Sequence, residues 1–427
     1  MRYKMSLLSA ALLLLLSTTP SVAEQPLTFT LEPIANLPDL ITEALRSNPE
    51  ILAARKAVEA SRARIVQARS LDDPELSFES WSIPLNQPTN FNQANTHMVN
   101  LRQRFPFPGK LRLRGEVASQ EEAMTAARFR ANEREVIAAV KKGYFDLFMA
   151  DRDIQITQEQ LVLLERVLKT AEARYSVGKV AQQDVIKAQV EQSHLLNRLI
   201  AAEHERHIAQ ARLNRLLNRP IAAPIGRTPE LESSPASVES KDFLSLTAGS
   251  SPALQEGVLS VKRAELSHEL AIRNRKYPDF TLGVGYWYVP QGSFEHTYSG
   301  MLTLTVPFFW TNAKHDKEVE EASAQVARAD ATYRGIKNQV FLEVHENMLK
   351  SHAARESLSL YRTGLLPQAE LSLRAAEAAY QTGRIEFTGL LEAERALRDV
   401  RLGYYRAVVA LQQSLADLER AVGRDIL

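Results

Sequence analysis

The chain repeats itself over a distance that excludes most folds. Ala171–Ile221, opening AEARYSVGKVAQQDVIKAQ, realigns without a gap roughly 205 residues later on AEAAYQTGRIEFTGLLEAE, far beyond the 20–50 residues of a solenoid unit. Tyr175 falls on Tyr380, Gly178 on Gly383, Ala188 on Ala393, Leu213 on Leu418 and Ile221 on Ile426. A unit of this size is half a protein. It predicts one elongated, pseudo-symmetric protomer made of two copies of a single supersecondary assembly, not several unrelated domains.

What precedes the first copy is a secretory signal over residues 1–23. Arg2 and Lys4 form its basic start, Leu7–Leu16 its apolar run, and Ser21-Val22-Ala23 a small-x-small cleavage site. The run is too short to span a bilayer as a helix; a retained N-terminal anchor is the competing reading. No cysteine follows the cleavage site, so a lipid-anchored precursor is excluded. The chain contains 0 cysteines, which also excludes disulfides, thiolate metal sites and thiol catalysis. Removing Arg2 and Lys4 from 52 basic against 51 acidic side chains leaves a mature net charge of −1, with no surplus to neutralise phosphates. No nucleic-acid partner is expected. After the signal no apolar stretch is long enough for a transmembrane helix. The exported chain is therefore periplasmic, or enters an outer membrane as β-strands.

Each copy opens with a helix, from about Leu37 to Ser70 and from about Leu246 to Lys276. Asn48-Pro49 and Ser251-Pro252 lie near their starts, where proline suits a first turn, so the approach to each forms a separate short helix. Both helices end near a proline, at Asp73-Pro74-Glu75-Leu76 and Tyr277-Pro278-Asp279-Phe280. Strands follow. Phe280, Leu282, Val284, Tyr286 and Tyr288 share one face, opposite Thr281, Gly283, Gly285 and Trp287; Leu302, Leu304 and Val306 alternate with Met301, Thr303 and Thr305. In the first copy Val99, Leu101, Gln103 and Phe105 alternate with Asn100, Arg102 and Arg104. The strand Glu75–Ile83 is less regular, because Trp81 and Ile83 are out of phase with Leu76 and Phe78, which suggests a bulge. The pairs close on Phe105-Pro106-Phe107 and Val306-Pro307-Phe308, and polar loops over Pro84–Thr96 and Pro290–Thr297 join their strands. Such lengths suit tilted strands crossing a bilayer; a hairpin on a soluble core would look alike.

A long helix comes next, from about Lys110 to Tyr175 and from about Asn312 to Tyr380. In the first, Val140, Leu147, Ile154, Leu161, Leu168 and Tyr175 recur every heptad beside the smaller Gly143, Ala150, Thr157 and Ala171. Gly178 and Gly383 then reverse the chain. Return helices over about Ala181–Leu217 and Phe387–Val422 carry heptad rows such as Leu390, Leu397, Tyr404, Leu411 and Leu418. A plain coiled-coil hairpin would show the same seam; the lengths discriminate better. The long helix spans about 100 Å, and the opening and return helices laid end to end span about 105 Å. Strands then lie at one end, glycine turns at the other, and the repeat boundaries at a waist. The expected organisation is a first repeat over 24–221, a Pro/Ser-rich linker over 222–245 and a second repeat over 246–427.

Four strands cannot close a barrel, and open edges are not tolerated in lipid. In a membrane, several protomers must share one barrel; three would supply twelve strands, within the known even-numbered range.

These features resemble the TolC-like outer-membrane factor family, the exit ducts of tripartite efflux pumps and type I secretion systems. The resemblance covers the whole mature chain and is carried most specifically by Ala173–Val185 (ARYSVGKVAQQDV), Ala378–Glu394 (AAYQTGRIEFTGLLEAE) and Arg104–Lys110 (RFPFPGK). It implies a mainly α protomer with a β-barrel portion, in which two long-helix repeats build an α-barrel. Four strands per protomer would join a shared trimeric twelve-stranded barrel in outer-membrane lipid, above a periplasmic tunnel. It implies a homotrimer that engages a periplasmic adaptor (membrane fusion) protein and an inner-membrane transporter, and conducts passively without a cofactor. The adaptor-contacting tips would be Tyr175, Val177, Gly178, Lys179 and Val180, and Tyr380, Thr382, Gly383, Arg384 and Ile385. The closed end would be held by Asp184 with Tyr380 and a basic partner; that third position is Ile385 here, with Arg384 one place earlier. The family's constriction often uses two acidic residues three apart, and here these are Gly389 and Glu392. A Glu392 ring would favour cations; a solvated helix face accounts equally well for Glu392.

Other chemistry is poorly supported. His204 and His207, or His345 and His352, share helix faces but lack a third ligand. No phosphate loop or nucleophile constellation appears, so an enzyme is not expected. A periplasmic coiled-coil scaffold remains an alternative, though it leaves two lipid-length hairpins unexplained. The cargo, whether drug, heavy-metal cation or polypeptide, is not legible.

Overall fold

The computed structural model describes residues 34–426, apart from 84, 87, 92–93, 179, 231–242, 291–294 and 307–310. The signal sequence, Lys179, the centre of the linker and Pro307-Phe308 lie outside the described residues. The first copy comprises α1 (Leu37–Ser47), α2 (Pro49–Arg69), β1 (Glu75–Trp81), β2 (Thr96–Phe105), α3 (Lys110–Ser176) and α4 (Gln182–Leu216). The second comprises α5 (Phe243–Ser250), α6 (Pro252–Lys276), β3 (Asp279–Tyr288), β4 (His296–Thr305), α7 (Asn312–Leu360), α8 (Leu366–Gln381) and α9 (Phe387–Val422). The expected order of elements is present twice.

The waist shows how two short helices become one column. Asn48 Oδ1 accepts hydrogen bonds from Glu50 N at 2.8 Å and Ile51 N at 3.3 Å, while its Nδ2 donates to Leu216 O at 2.9 Å. One side chain thus caps the start of α2 and the end of α4, satisfying donors and acceptors that helix ends leave orphaned. Ser47 Oγ donates to Leu217 O at 2.7 Å. In the second copy Ser250 Oγ, at the end of α5, donates to Val422 O at the end of α9 at 2.6 Å, as Ser47 at the end of α1 does to Leu217 O. Asn218 (φ 55°) and Gly423 (φ 87°) turn the chain at matching points. Around this joint sits the main core, with Ile51, Val140, Leu147, Phe148, Leu213 and Leu217 fully buried.

Helix packing defines an open row of four columns. The column of α2 and α4 packs along α3, α3 along the column of α6 and α9, and that column along α7 and α8. The sheet runs in the same order, β1-β2-β3-β4, antiparallel throughout. The heptad seam is buried as expected through Val140, Leu147 and Ile154, and through Leu390, Leu397, Leu411 and Leu418.

Two expectations fail. The β1–β2 ladder is continuous from Glu75↔Arg102 to Trp81↔Thr96, so no bulge exists within it. The strand simply ends at Trp81, and Ser82 at φ 58° turns the chain away, so the phase of Ile83 is irrelevant. Alternation puts Trp81 on the polar face with Glu75, Ser77 and Glu79, where its indole donates to Glu79 Oε2 at 3.1 Å. The second long helix is also not uniform: a π turn over Tyr361–Leu365 separates α7 from α8. Pro367 has no N–H to continue the ladder there, and a wider turn accommodates the gap.

Candidate channel site: the sheet faces, the strand–helix junction and the tips

Cross-strand register sorts the strand residues into two unlike faces. Leu76, Leu101 and Val284 lie in one row, Phe78, Val99, Tyr286 and Tyr298 in the next, and Leu282 with Leu302 in another. These apolar side chains are exposed: Leu76 by 74%, Val284 by 63% and Tyr298 by 85%. At the loop end Phe78, His97, Tyr288 and His296 stack in succession, with neighbouring centroids 6.1, 6.3 and 5.3 Å apart. At the helix end Phe105 stacks on Phe280 at 5.7 Å, and Phe107 on Tyr277 at 4.4 Å. The opposite face carries Glu75, Ser77, Glu79, Asn100, Arg102, Arg104, Thr281 and Ser299. An exposed apolar band between two aromatic rims, backed by a polar face, is the arrangement of a barrel wall with lipid outside and water inside. Among the described residues of the single chain, β1 and β4 each have one free edge.

Where strands give way to helices, Asp279 ties the two copies together. Its Oδ1 accepts from Lys110 Nζ at 2.8 Å and Phe107 N at 3.1 Å, and its Oδ2 from Arg104 at 2.9 Å. Lys110 Nζ also donates to Tyr277 O at 2.7 Å, and its side chain is only 4% exposed. Gly109, at φ 94°, turns the chain directly before α3. The motif RFPFPGK thus anchors the end of β2 and the start of α3 on the start of β3.

At the far end both turns pivot on glycine, Gly178 at φ 70° and Gly383 at φ 74°, with open space where a Cβ would stand. The tips differ in exposure. Tyr175 is 46% exposed and Val177 65%, whereas Tyr380 is 5% exposed and packs against Phe387. Thr382, Gly383 and Arg384 are exposed; Val180, Asp184 and Ile385 are half-buried. Glu392 is exposed, and Gly389 lies against Ile385. Tyr380 is gripped by a residue that motif reasoning overlooked. Arg174, at the end of α3, donates to Tyr380 O at 3.0 Å and Gln381 O at 2.8 Å, with its guanidinium 5.1 Å from the Tyr380 ring centre. Burial raises the Tyr380 phenol pKa, Arg174 opposes the rise and Asp184 adds to it. Among the described residues the Tyr380 hydroxyl has no hydrogen-bond partner, so within one protomer it does not bond Asp184. The overlooked signal lay in the repeat itself: Arg174 falls on Ala379, a mismatch within an otherwise matching stretch.

Further arginines bind the second hairpin to the first. Arg395 and Arg398 of α9 both reach Glu191 of α4, and Arg401 reaches Glu159 of α3 at 3.1 Å. They stand three apart, on one helical face. His204, His207, His345 and His352 are exposed.

Comparison with known proteins gives a consistent result. The family model described as outer membrane efflux protein matches residues 40–219 and again 243–424, one match per repeat. The cobalt-zinc-cadmium resistance protein CzcC of Cupriavidus metallidurans is 24% identical over 89% of this chain and 88% of its own length. The outer membrane protein TolC of Vibrio cholerae is 23% identical over 92% and 93%, and the cation efflux system protein CusC of Escherichia coli 22% over 90% and 82%. Among solved structures, CusC superposes with a TM-score of 0.78 at 20% identity, covering 95% of this chain and 96% of that one. The outer membrane protein VceC of Vibrio cholerae gives 0.76 at 19% identity over 92% and 97%.

Proposed function

Since this chain belongs to the outer membrane efflux protein family, we propose that three copies close into one continuous duct that carries cargo across the outer membrane. One observation carries this reading: the protomer is open on both flanks at both levels. The sheet ends in β1 and β4, and the helical row ends in the α2/α4 column and the α7/α8 column, in the same order. Each pair of open flanks is unlike, so copies join head to tail, and such a contact closes into a ring when the rotation permits. Ring closure pairs every strand edge, which lipid requires. Exposed Leu342, Leu349 and Leu371 on one flank, and Ile186, Val190 and Ile200 on the other, supply apolar surface for the joint.

In this reading Tyr175, Val177, Gly178, Lys179, Val180, Thr382, Gly383, Arg384 and Ile385 form the surface offered to a periplasmic adaptor, which couples the duct to an inner-membrane transporter. Tyr380 belongs to the tip as the residue held shut by Arg174, with Asp184 and Arg384 beside it and a Glu392 ring as the candidate constriction. The chain itself performs no chemistry. Two relatives bear names tied to cation efflux or metal resistance, which favours a metal cation as cargo. The test is outer-membrane fractionation with unheated gel electrophoresis, followed by conductance in planar bilayers and metal accumulation in a deletion strain. A soluble monomer would overturn the duct; unchanged cobalt, zinc and cadmium tolerance would overturn the cargo.

A further inference from the structure

Glu394 lies between the hairpins, and nothing among the described residues neutralises it. The residue is 8% exposed, and its Oε1 is buried without a hydrogen-bond partner. Three helices surround it. From α4 comes the Glu191 carboxylate and from α8 that of Glu377; α3 presents the neutral amide of Gln160, which donates to the Glu394 backbone carbonyl at 3.2 Å. On α9 itself Arg395 and Arg398 are close in sequence, yet both are engaged by Glu191. An ionised Glu394 would thus be a desolvated negative charge beside two others, an arrangement that burial penalises heavily. A protonated Glu394 is compatible with the packing. Burial first, then Glu377 and Glu191, push its pKa up to about 7.

We propose that Glu394 is a proton-operated lock between the two helical hairpins: protonated, it lets α4, α8 and α9 close on one another; ionised, it loosens them near the tips. The lock stands on the packing alone, and its consequence for conduction rests on the duct reading. A carboxyl with a raised pKa stabilises the closed packing fully below its ordinary value of 4.5 and loses that contribution as pH rises through about 7. If opening hydrates the group, the open fraction grows about tenfold between pH 6 and pH 8.

The test is hydrogen exchange on the full chain in lipid vesicles at both pH values, corrected for intrinsic exchange. It compares amides of 186–200 and 385–400 with those of 140–148 at the waist. The expected result is about tenfold more opening near the tips at pH 8, no change at the waist, and no pH response in Glu394→Gln. A matching response in that variant, or an equal response at the waist, would overturn the lock. Glu377→Gln provides a second arm: removing one negative neighbour should move the midpoint to lower pH, and an unmoved midpoint counts against the proposal. Conductance measured in parallel separates the two readings, because tip loosening without a conductance change refutes the duct consequence and leaves the lock standing.

Discussion

Replacing Arg174 by Ala should release the second tip while leaving barrel and waist intact. Arg174 contributes three contacts to the end of α8. The part-buried bond to Tyr380 O involves a charged donor, and such bonds contribute about 1.5 kcal/mol at the low end of their range. The bond to Gln381 O is exposed and adds little. The guanidinium over the Tyr380 ring adds about 0.5–1 kcal/mol. The total is about 2–2.5 kcal/mol, or roughly 30- to 60-fold in the balance between closed and loosened tips. Single-channel recording in planar bilayers should show a rise in open probability of that order, with trimers on unheated gels unchanged. Arg174→Lys should fall between, since an ammonium cannot reproduce the planar fork. Tyr380→Phe discriminates the alternative. The Tyr380 hydroxyl is buried and unpaired, so its removal should leave the tip closed and slightly more stable. Opening in Tyr380→Phe together with silence in Arg174→Ala would refute the clamp and restore Asp184 as the partner that matters.

Three other outcomes are expected. Gly178→Val and Gly383→Val place a β-branched residue at φ 70° and 74°; each should strain its turn by about 1–3 kcal/mol and lower metal export while sparing trimer formation, and loss of the trimer would contradict this. Asp279→Ala strands Lys110, 4% exposed, beside Tyr277 O; urea titration in vesicles should show a loss of about 3–5 kcal/mol, most of it recovered by adding Lys110→Met. Proline at Leu302, inside β4, should abolish gel-stable trimers because it removes a ladder donor and kinks the strand whose outer edge is free in the single chain; persistence of the trimer would show that β4 is not part of the joint.

Much of the architecture was legible because it is written twice. Matched Asn48-Pro49 and Ser251-Pro252 marked the waist, matched glycines the tips, and alternation in Phe280–Tyr288 the strand faces. Most of the features that escaped depend on contacts between elements distant in sequence. The π turn at Tyr361–Leu365 is fitted to a neighbour: a Cβ on Gly403 of α9 would lie 2.6 Å from Cζ of Tyr361. Helical periodicity along α7 cannot register a partner some forty residues away. The end of β1 escaped for a local reason, since nothing in Ser82 announces φ 58°. Nothing in the sequence sets Glu394 apart from the other charges of α9, and only the approach of Glu191 from α4 and Glu377 from α8 shows that it is enclosed.

Where the copies agree and where they diverge carries its own argument. Ser47 and Ser250 bond equivalent carbonyls, Leu217 and Val422, so this bond recurs at the waist of both repeats, while the Asn48 cap belongs to the first alone. In the proposed ring each column carries the same role at the waist, and the shared serine bond serves it in both repeats. Near the tips the equivalences fail together: Arg174 stands against Ala379, Lys187 against Glu392, Gln189 against Glu394, and exposed Tyr175 against buried Tyr380. The π turn lies on the same side of that divide, in the second copy alone among the described residues. Two identical hairpins would loosen or close together. Two hairpins in which one supplies the clamp and the other carries the clamped tyrosine, the arginine face and the enclosed glutamate let one hairpin move against a fixed neighbour. On the duct reading, we infer from this divergence that the second hairpin is the mobile element and the first its frame. Crosslinking a cysteine pair between α3 and α8 near Arg174 and Gln381 should hold the duct shut, whereas a pair across the Ser250–Val422 joint should not alter conductance.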